Sequence, residues 1–73
     1  MTYEEQQLRE ELNRVQEEDK TLTKRFYECM SGQAIWREGE RQQISSKFEA
    51  NSETIRHLEK RIFALEFARM GEA

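Results

Sequence analysis

The stretch ISSKFEANSETIRHLEKRIFAL, residues 44–65, decides the fold of this chain. Its large apolar side chains recur at alternating steps of four and three residues, and one polar residue, Asn51, continues the series. This heptad spacing is typical of a helix that packs lengthwise against another helix. A strand would alternate with a period of two, which this stretch does not do. The members of the series are Ile44, Phe48, Asn51, Ile55, Leu58, Ile62 and Leu65.

The first half of the chain carries a second series with the same spacing, interrupted only by Asp19. The two series are out of phase, so one straight helix cannot present both of them on one side. Ser31 and Gly32 indicate a helix C-terminus, because glycine adopts the left-handed cap conformation without penalty, and Gly39 is a second break. The members of this series are Leu8, Leu12, Val15, Asp19, Leu22, Phe26 and Cys29.

These patterns predict an all-α fold, an antiparallel two-helix hairpin that resembles a coiled coil. We expect one domain over residues 1–73, with a first helix at about 3–31, a loop at about 32–39 and a second helix at about 40–70. The loop could hold a short helical turn or a small β-hairpin. A chain of 73 residues buries little surface by itself, so we expect it to dimerise into a four-helix bundle.

The two polar members of the series should meet near the middle of the hairpin. Antiparallel pairing of Phe26 with Phe48 brings Asp19 and Asn51 into neighbouring layers. A single buried polar layer often fixes the register of paired helices. The alternative interpretation is that both side chains point to solvent, and the sequence does not decide between the two.

Composition narrows the class of protein. The chain has one cysteine, no proline, 37% charged residues and a net charge of -3. It contains no long apolar run and no N-terminal apolar stretch, so we expect a cytoplasmic protein without membrane association. An acidic chain whose basic residues are mixed with glutamates is not expected to bind nucleic acid directly.

No constellation in the sequence predicts catalysis. His57 has Glu53 and Arg61 one helical turn away, which is usual on a solvated helix face. Cys29 belongs to the apolar series and is expected to be a small buried residue, far from His57 in a hairpin. We therefore expect no enzyme, no metal and no cofactor.

Some apolar residues lie outside the two series and are candidates for binding another protein. A second apolar row at the end of the second helix has little of the first helix to cover it. Self-association and binding to a different protein are both compatible with this row. Trp36, in the loop, could anchor a partner or fold as a lid over the end of the helix pair. The candidate residues are Phe63, Phe67, Met70, Tyr27, Met30 and Trp36.

The helix–loop–helix outline is similar to that of small secretion co-chaperones, phage-encoded regulators and assembly subunits, a likeness of architecture alone. The apolar row at Phe63, Phe67 and Met70, with Trp36 as a second anchor, predicts a small adaptor, co-chaperone or inhibitor that binds a partner protein and forms a homo-oligomer. An alternative is an acidic nucleic-acid mimic, for example phage-encoded, that blocks a nucleic-acid-binding host protein. That alternative depends on an acidic face formed by Glu10, Glu11, Glu17 and Glu18.

Overall fold

The computed structural model describes residues 2–71, in which two helices pack side by side and run antiparallel. Helix α1 is Tyr3–Met30 and helix α2 is Glu40–Gly71, and residues 2–71 contain no strand. The predictions of an all-α fold and of two helices that pack against each other are confirmed. The hairpin measures 54 × 17 × 16 Å. Residues 1, 72 and 73 of the predicted domain lie outside the described part of the chain.

The core follows the two heptad series, which we call the seam. Every seam residue is buried or half-buried, because the alternating steps of three and four keep these side chains toward the other helix. The most buried cluster, near the open end of the hairpin, combines Leu8 with Leu58 and Ile62. Leu12 and Leu65 pack against it, as the predicted register requires.

Aromatic rings fill the seam near the loop. The rings of Phe26 and Phe48 meet edge to face with their centroids 6.2 Å apart, so the two residues are paired as the sequence predicted. Cys29 and Ile44 are buried beside them. Both ends of the seam are therefore apolar, and the register is set by side chains on both helices.

Asp19 and Asn51 form a polar layer between these apolar ends. The Asn51 amide Nδ2 donates a hydrogen bond of 2.9 Å to Oδ1 of Asp19, and both residues are half-buried. Of the two alternatives that the sequence left open, the structure has the paired layer. A hydrogen bond at one level of an otherwise apolar seam favours the register in which the two partners meet.

Helix α1 ends in a glycine cap. Gly32 has a φ of +84°, and its N–H donates to the carbonyl oxygen of Cys29 at 3.3 Å. The N–H of Gln33 donates to the carbonyl oxygen of Glu28 at 2.9 Å, which completes a Schellman motif. Residues 31–39, all described, contain turns and bends, so neither the helical turn nor the β-hairpin that we considered is present.

An ion pair closes the loop onto the helices. The Arg25 guanidinium donates to both carboxylate oxygens of Glu40, at 2.8 and 3.0 Å, and to the carbonyl oxygen of Ile35 at 3.1 Å. The backbone N–H of Arg37 donates to the same carboxylate at 2.9 Å. Gly39, with a φ of +73°, turns the chain into α2. The loop is thus held by side chains of both helices.

Candidate protein-binding surface

Three apolar side chains near the end of α2 lie on the outside of the hairpin. Phe63 is 66% exposed, Phe67 is 69% exposed and Met70 is 75% exposed; we call these residues the α2 row. The rings of Phe63 and Phe67 stack with centroids 6.3 Å apart. The row is thus a group of neighbouring large apolar side chains that α1 leaves exposed.

Helical geometry explains why α1 does not cover this row. Ile62 and Leu65 occupy seam positions and face α1, and each following residue is turned by about 100° around the helix axis. The side chains of the α2 row therefore leave α2 at about 110–170° from the direction of α1. They are turned away from the partner helix by their sequence positions.

Two further apolar residues lie on α1 near the loop. Tyr27 is 69% exposed and Met30 is 55% exposed. Each directly follows a seam residue, Phe26 or Cys29. The α2 row lies at the opposite end of the hairpin, so the hairpin has two separate apolar surfaces.

The two large apolar residues of the loop, Ile35 and Trp36, differ in their burial. Trp36 is half-buried, and its ring meets the ring of Phe26 edge to face with centroids 5.5 Å apart, which is the lid arrangement, one of the two predicted for this residue. Ile35 is 87% exposed although its carbonyl group is held by Arg25. Ile35 is thus a third exposed apolar side chain at the loop end of the hairpin, besides Tyr27 and Met30.

A buried carboxylate organises the open end of the hairpin. Glu5 is 2% exposed and pairs with Arg9 at 3.1 Å and with Arg69 at 2.9 Å. Burial opposes ionisation of Glu5, but the hydrogen bond from Arg9 and the charges of Arg69 and Arg9 outweigh it, so the net pKa of Glu5 is lowered. Thr2 and Glu5 have capping-box spacing, and Thr2 Oγ1 accepts from the Glu5 N–H at 3.1 Å.

Hydrogen bonds also lower the pKa of a carboxylate at the loop, and the shift there is larger. The hydrogen bonds from the Arg25 guanidinium and from the Arg37 backbone N–H lower the pKa of Glu40 to about 2. Glu40 is therefore ionised at any physiological pH. Carboxylates that bind arginines from the other half of the chain therefore lie at both ends of the hairpin.

The four residues of the proposed acidic face are exposed, but basic groups approach them. Lys20 lies 3.2 Å from Glu17, and Lys47 of α2 lies 3.9 Å from Glu18. Glu10 and Glu11 border a surface groove that also contains basic residues. The acidic character of this face is therefore partly neutralised by its neighbours. The basic residues of that groove are Arg14 and Arg61.

Cys29 and His57 are not brought together. Cys29 is buried near the loop, whereas His57 is exposed and lies beside Glu53 and Thr54 in a shallow groove. With Phe26 opposite Phe48, about 18 Å of helix separates their levels at 1.5 Å per residue. Within residues 2–71, no group of three histidine, cysteine, aspartate or glutamate residues could hold a metal ion.

Comparisons with known proteins found no match among family models, curated proteins or solved structures. Among the described residues, neither helix is both long and apolar enough to cross a bilayer.

Sequence reasoning missed two features of these surfaces. Glu5 and Arg69 continue the seam by one more step of three and four residues, beyond Leu8 and Leu65, and this spacing could have predicted their pairing. The second feature is the exposure of Ile35, a loop residue outside both apolar series. Its carbonyl group is held by Arg25, a contact that no local pattern signals.

Proposed function

We propose that this chain is a non-enzymatic protein-protein interaction module, a small adaptor, co-chaperone or inhibitor that acts through its exposed apolar surfaces. The observation that carries this proposal is the α2 row, whose two phenylalanines are about two-thirds exposed while stacked on each other. Exposed aromatic and methionine side chains are the residue types that anchor protein interfaces. Self-association, including the four-helix bundle expected above, is one way to cover such a row.

The arrangement of the charged residues supports binding through the apolar surfaces rather than binding through electrostatic attraction. Ion pairs join the two helices along their length, for example between Arg61 and Glu4 at 3.0 Å. Exposed pairs of this kind contribute little to stability, but they reduce the net field outside the hairpin. The apolar side chains then provide the main gain in free energy that a partner could obtain on binding.

The test is the double substitution of Phe63 and Phe67 by serine. Because both side chains are largely exposed, the variant should keep the helix content of the wild type, measured by circular dichroism. It should lose association with itself or with a binding protein, measured by light scattering and by recovery of partners on the immobilised chain. The control is Ile35→Ser, which leaves the row intact and removes a side chain at the loop end that is 87% exposed.

Two results would contradict the proposal. If the double variant unfolds as an isolated chain, the two phenylalanines belong to the core that holds the hairpin together. If every association of the wild type survives in the double variant, the row is not an interaction surface. Loss of association in the Ile35→Ser control alone would move the interface to the loop end.

The acidic mimic remains a second candidate because all four side chains of the acidic face are exposed. It has less support, since lysines lie within 4.0 Å of two of them. Charge reversal at all four positions should abolish inhibition of a nucleic-acid-binding protein if this candidate is correct. An unchanged inhibitory activity after reversal would remove it. The positions are Glu10, Glu11, Glu17 and Glu18.

A further inference from the structure

The outer surface of α2 carries four charged side chains that make no ion pair with any other described residue. They follow one another along a single stripe opposite the seam, with the α2 row as its continuation. From its N-terminal end, the stripe has two uncharged polar residues, then two acids, then two bases, and finally the three apolar residues of the α2 row. We call this surface the α2 stripe, and it consists of Gln42, Ser46, Glu49, Glu53, Arg56, Lys60, Phe63, Phe67 and Met70.

This order is complementary to itself when a second copy runs antiparallel. With Glu53 opposite Arg56 of the second copy, Glu49 falls opposite Lys60, and two-fold symmetry repeats both pairs. A shift of one heptad in one direction places Glu49 against Glu53, and a shift in the other places Arg56 against Lys60. Like charges at these positions disfavour both shifted registers, so the charges select one pairing.

The same register gives the α2 row a surface to contact. Phe63 falls opposite Ser46 of the second copy, Phe67 opposite Gln42, and Met70 opposite Gly39. A shallow depression lies at this place on α2, and space around Gly39 is open. The α2 row of each copy thus contacts the depression at the other end of the stripe on the second copy. The depression is lined by Gly39, Gln42, Gln43, Ser46 and Lys47.

Small residues border parts of the stripe. Ala50 and Ala64 lie along one edge, together with Gln43 and His57, and Ser45 and Ser52 lie along the other, together with Glu59 and Glu66. In the register described, Ser45 is next to Ala64 of the second copy. Small residues at a helix–helix contact reduce the distance between the axes.

We propose that the α2 row is covered by a second copy of this chain, which packs its own α2 stripe antiparallel against the first. This inference rests on the proposed function and names the occupant of one of its surfaces. The contact would run for about 42 Å along a helix of about 10–12 Å diameter, or roughly 1,000 Å² of buried surface in total. That area is at the low end for specific complexes, so the dimer should dissociate on dilution.

This arrangement differs from the four-helix bundle that the sequence predicted. The α2 helices meet back to back, and each α1 helix remains on the outside of the assembly. The apolar surface at the loop end, with Tyr27, Met30 and Ile35, is then left free in both copies. The dimer presents two such surfaces at opposite ends for a different protein.

The experiment uses two charge variants of the full chain, Glu53→Lys and Arg56→Glu, studied separately and mixed. In the proposed register each variant places like charges opposite each other twice in its own dimer. Each should therefore dimerise at least about tenfold more weakly than the wild type, measured by sedimentation equilibrium over a concentration range. In the equimolar mixture, every 53–56 contact of the mixed dimer joins opposite charges, so wild-type affinity should return.

The mixture distinguishes a contact between the two copies from a change of helix stability within one copy. A loss of helix stability in one chain would not be restored by adding the other chain. Circular dichroism at each concentration verifies that both variants stay helical. Rescue in the mixture supports the antiparallel register. A wild-type dimer whose variants show no rescue overturns it, while the α2 row could still serve as an interface of the proposed kind.

A wild type that stays monomeric and helical up to millimolar concentration also overturns the inference. In that case the α2 row is free for a different protein, and the Phe63 and Phe67 double variant tests the proposed function independently. Failure of the proposed function instead appears as associations that survive the loss of both phenylalanines.

Discussion

Replacing Asp19 and Asn51 by alanine, singly and together, measures the energy of the polar layer in the seam. Each replacement removes one partner of the 2.9 Å hydrogen bond and leaves the other half-buried without it. A hydrogen bond to a charged group contributes about 1.5–3 kcal/mol when buried. Because both residues keep contact with water, we expect about 1 kcal/mol here.

Helix propensity opposes this loss in the single variants. Alanine is favoured over aspartate or asparagine within a helix by up to about 0.7 kcal/mol, so each single variant should lose only a few tenths of a kcal/mol. The propensity terms cancel in a double-mutant cycle, which leaves a coupling of about 1 kcal/mol between the two positions. The free energies come from urea unfolding of the four proteins, followed by circular dichroism at 222 nm.

A control cycle uses a pair across the helices that makes no such bond. Asn13 and Ser52 are both exposed, and their coupling should fall within about 0.3–0.5 kcal/mol of zero. A coupling of that small size between Asp19 and Asn51 would refute the reasoning, because the hydrogen bond would then contribute nothing to the choice of register. All seven proteins of the two cycles, which share the wild type, are measured at one concentration, so that any self-association affects each of them equally.

Other perturbations act on the core, on the loop and on the ion pairs. Leu58→Ala, at a residue 5% exposed, should lower the free energy of unfolding by about 2–3 kcal/mol in urea, and a loss below 1 kcal/mol would place Leu58 outside the core. Gly39→Ala should lower the same quantity by about 1 kcal/mol, since its φ of +73° strains any residue with a Cβ, and no loss would mean that the loop rearranges freely. The lowered pKa values of Glu40 and Glu5 favour the folded state above pH 4.5, and this stability should be lost as pH falls toward 2; thermal unfolding that is unchanged between pH 5 and pH 2 would contradict the sign.

The seam was predictable because it depends on spacing alone. Steps of three and four residues place Phe26 against Phe48 and gather Leu8 with Leu58, whatever the loop does. The cap at Gly32 was predictable for a local reason, the positive φ that glycine accepts. Each of these features follows from residues that are close in sequence or fixed in phase.

Contacts between distant charged side chains were not predictable in the same way. Arg25 could pair with several acids in the sequence, and only the path of the loop brings Glu40 and the Ile35 carbonyl to it. The exposure of the α2 row was indicated by its place beside the seam, yet the depression at the other end of α2 requires coordinates. The heptad spacing extends to Glu5 and Arg69, but both residues are charged, so a series defined by apolar residues does not include them.

The antiparallel register has a consequence for the order in which the hairpin forms. Arg25 and Glu40 are 15 residues apart in the chain, Asp19 and Asn51 are 32 apart, and Glu5 and Arg69 are 64 apart. The entropy of closing a loop grows with its length, so contacts near the turn should nucleate first and the others should zip toward the termini. The contact between Glu5 and Arg69 should then form last during folding and break first when the helix ends fray. Backbone amide hydrogens at the open end of the hairpin should therefore exchange fastest.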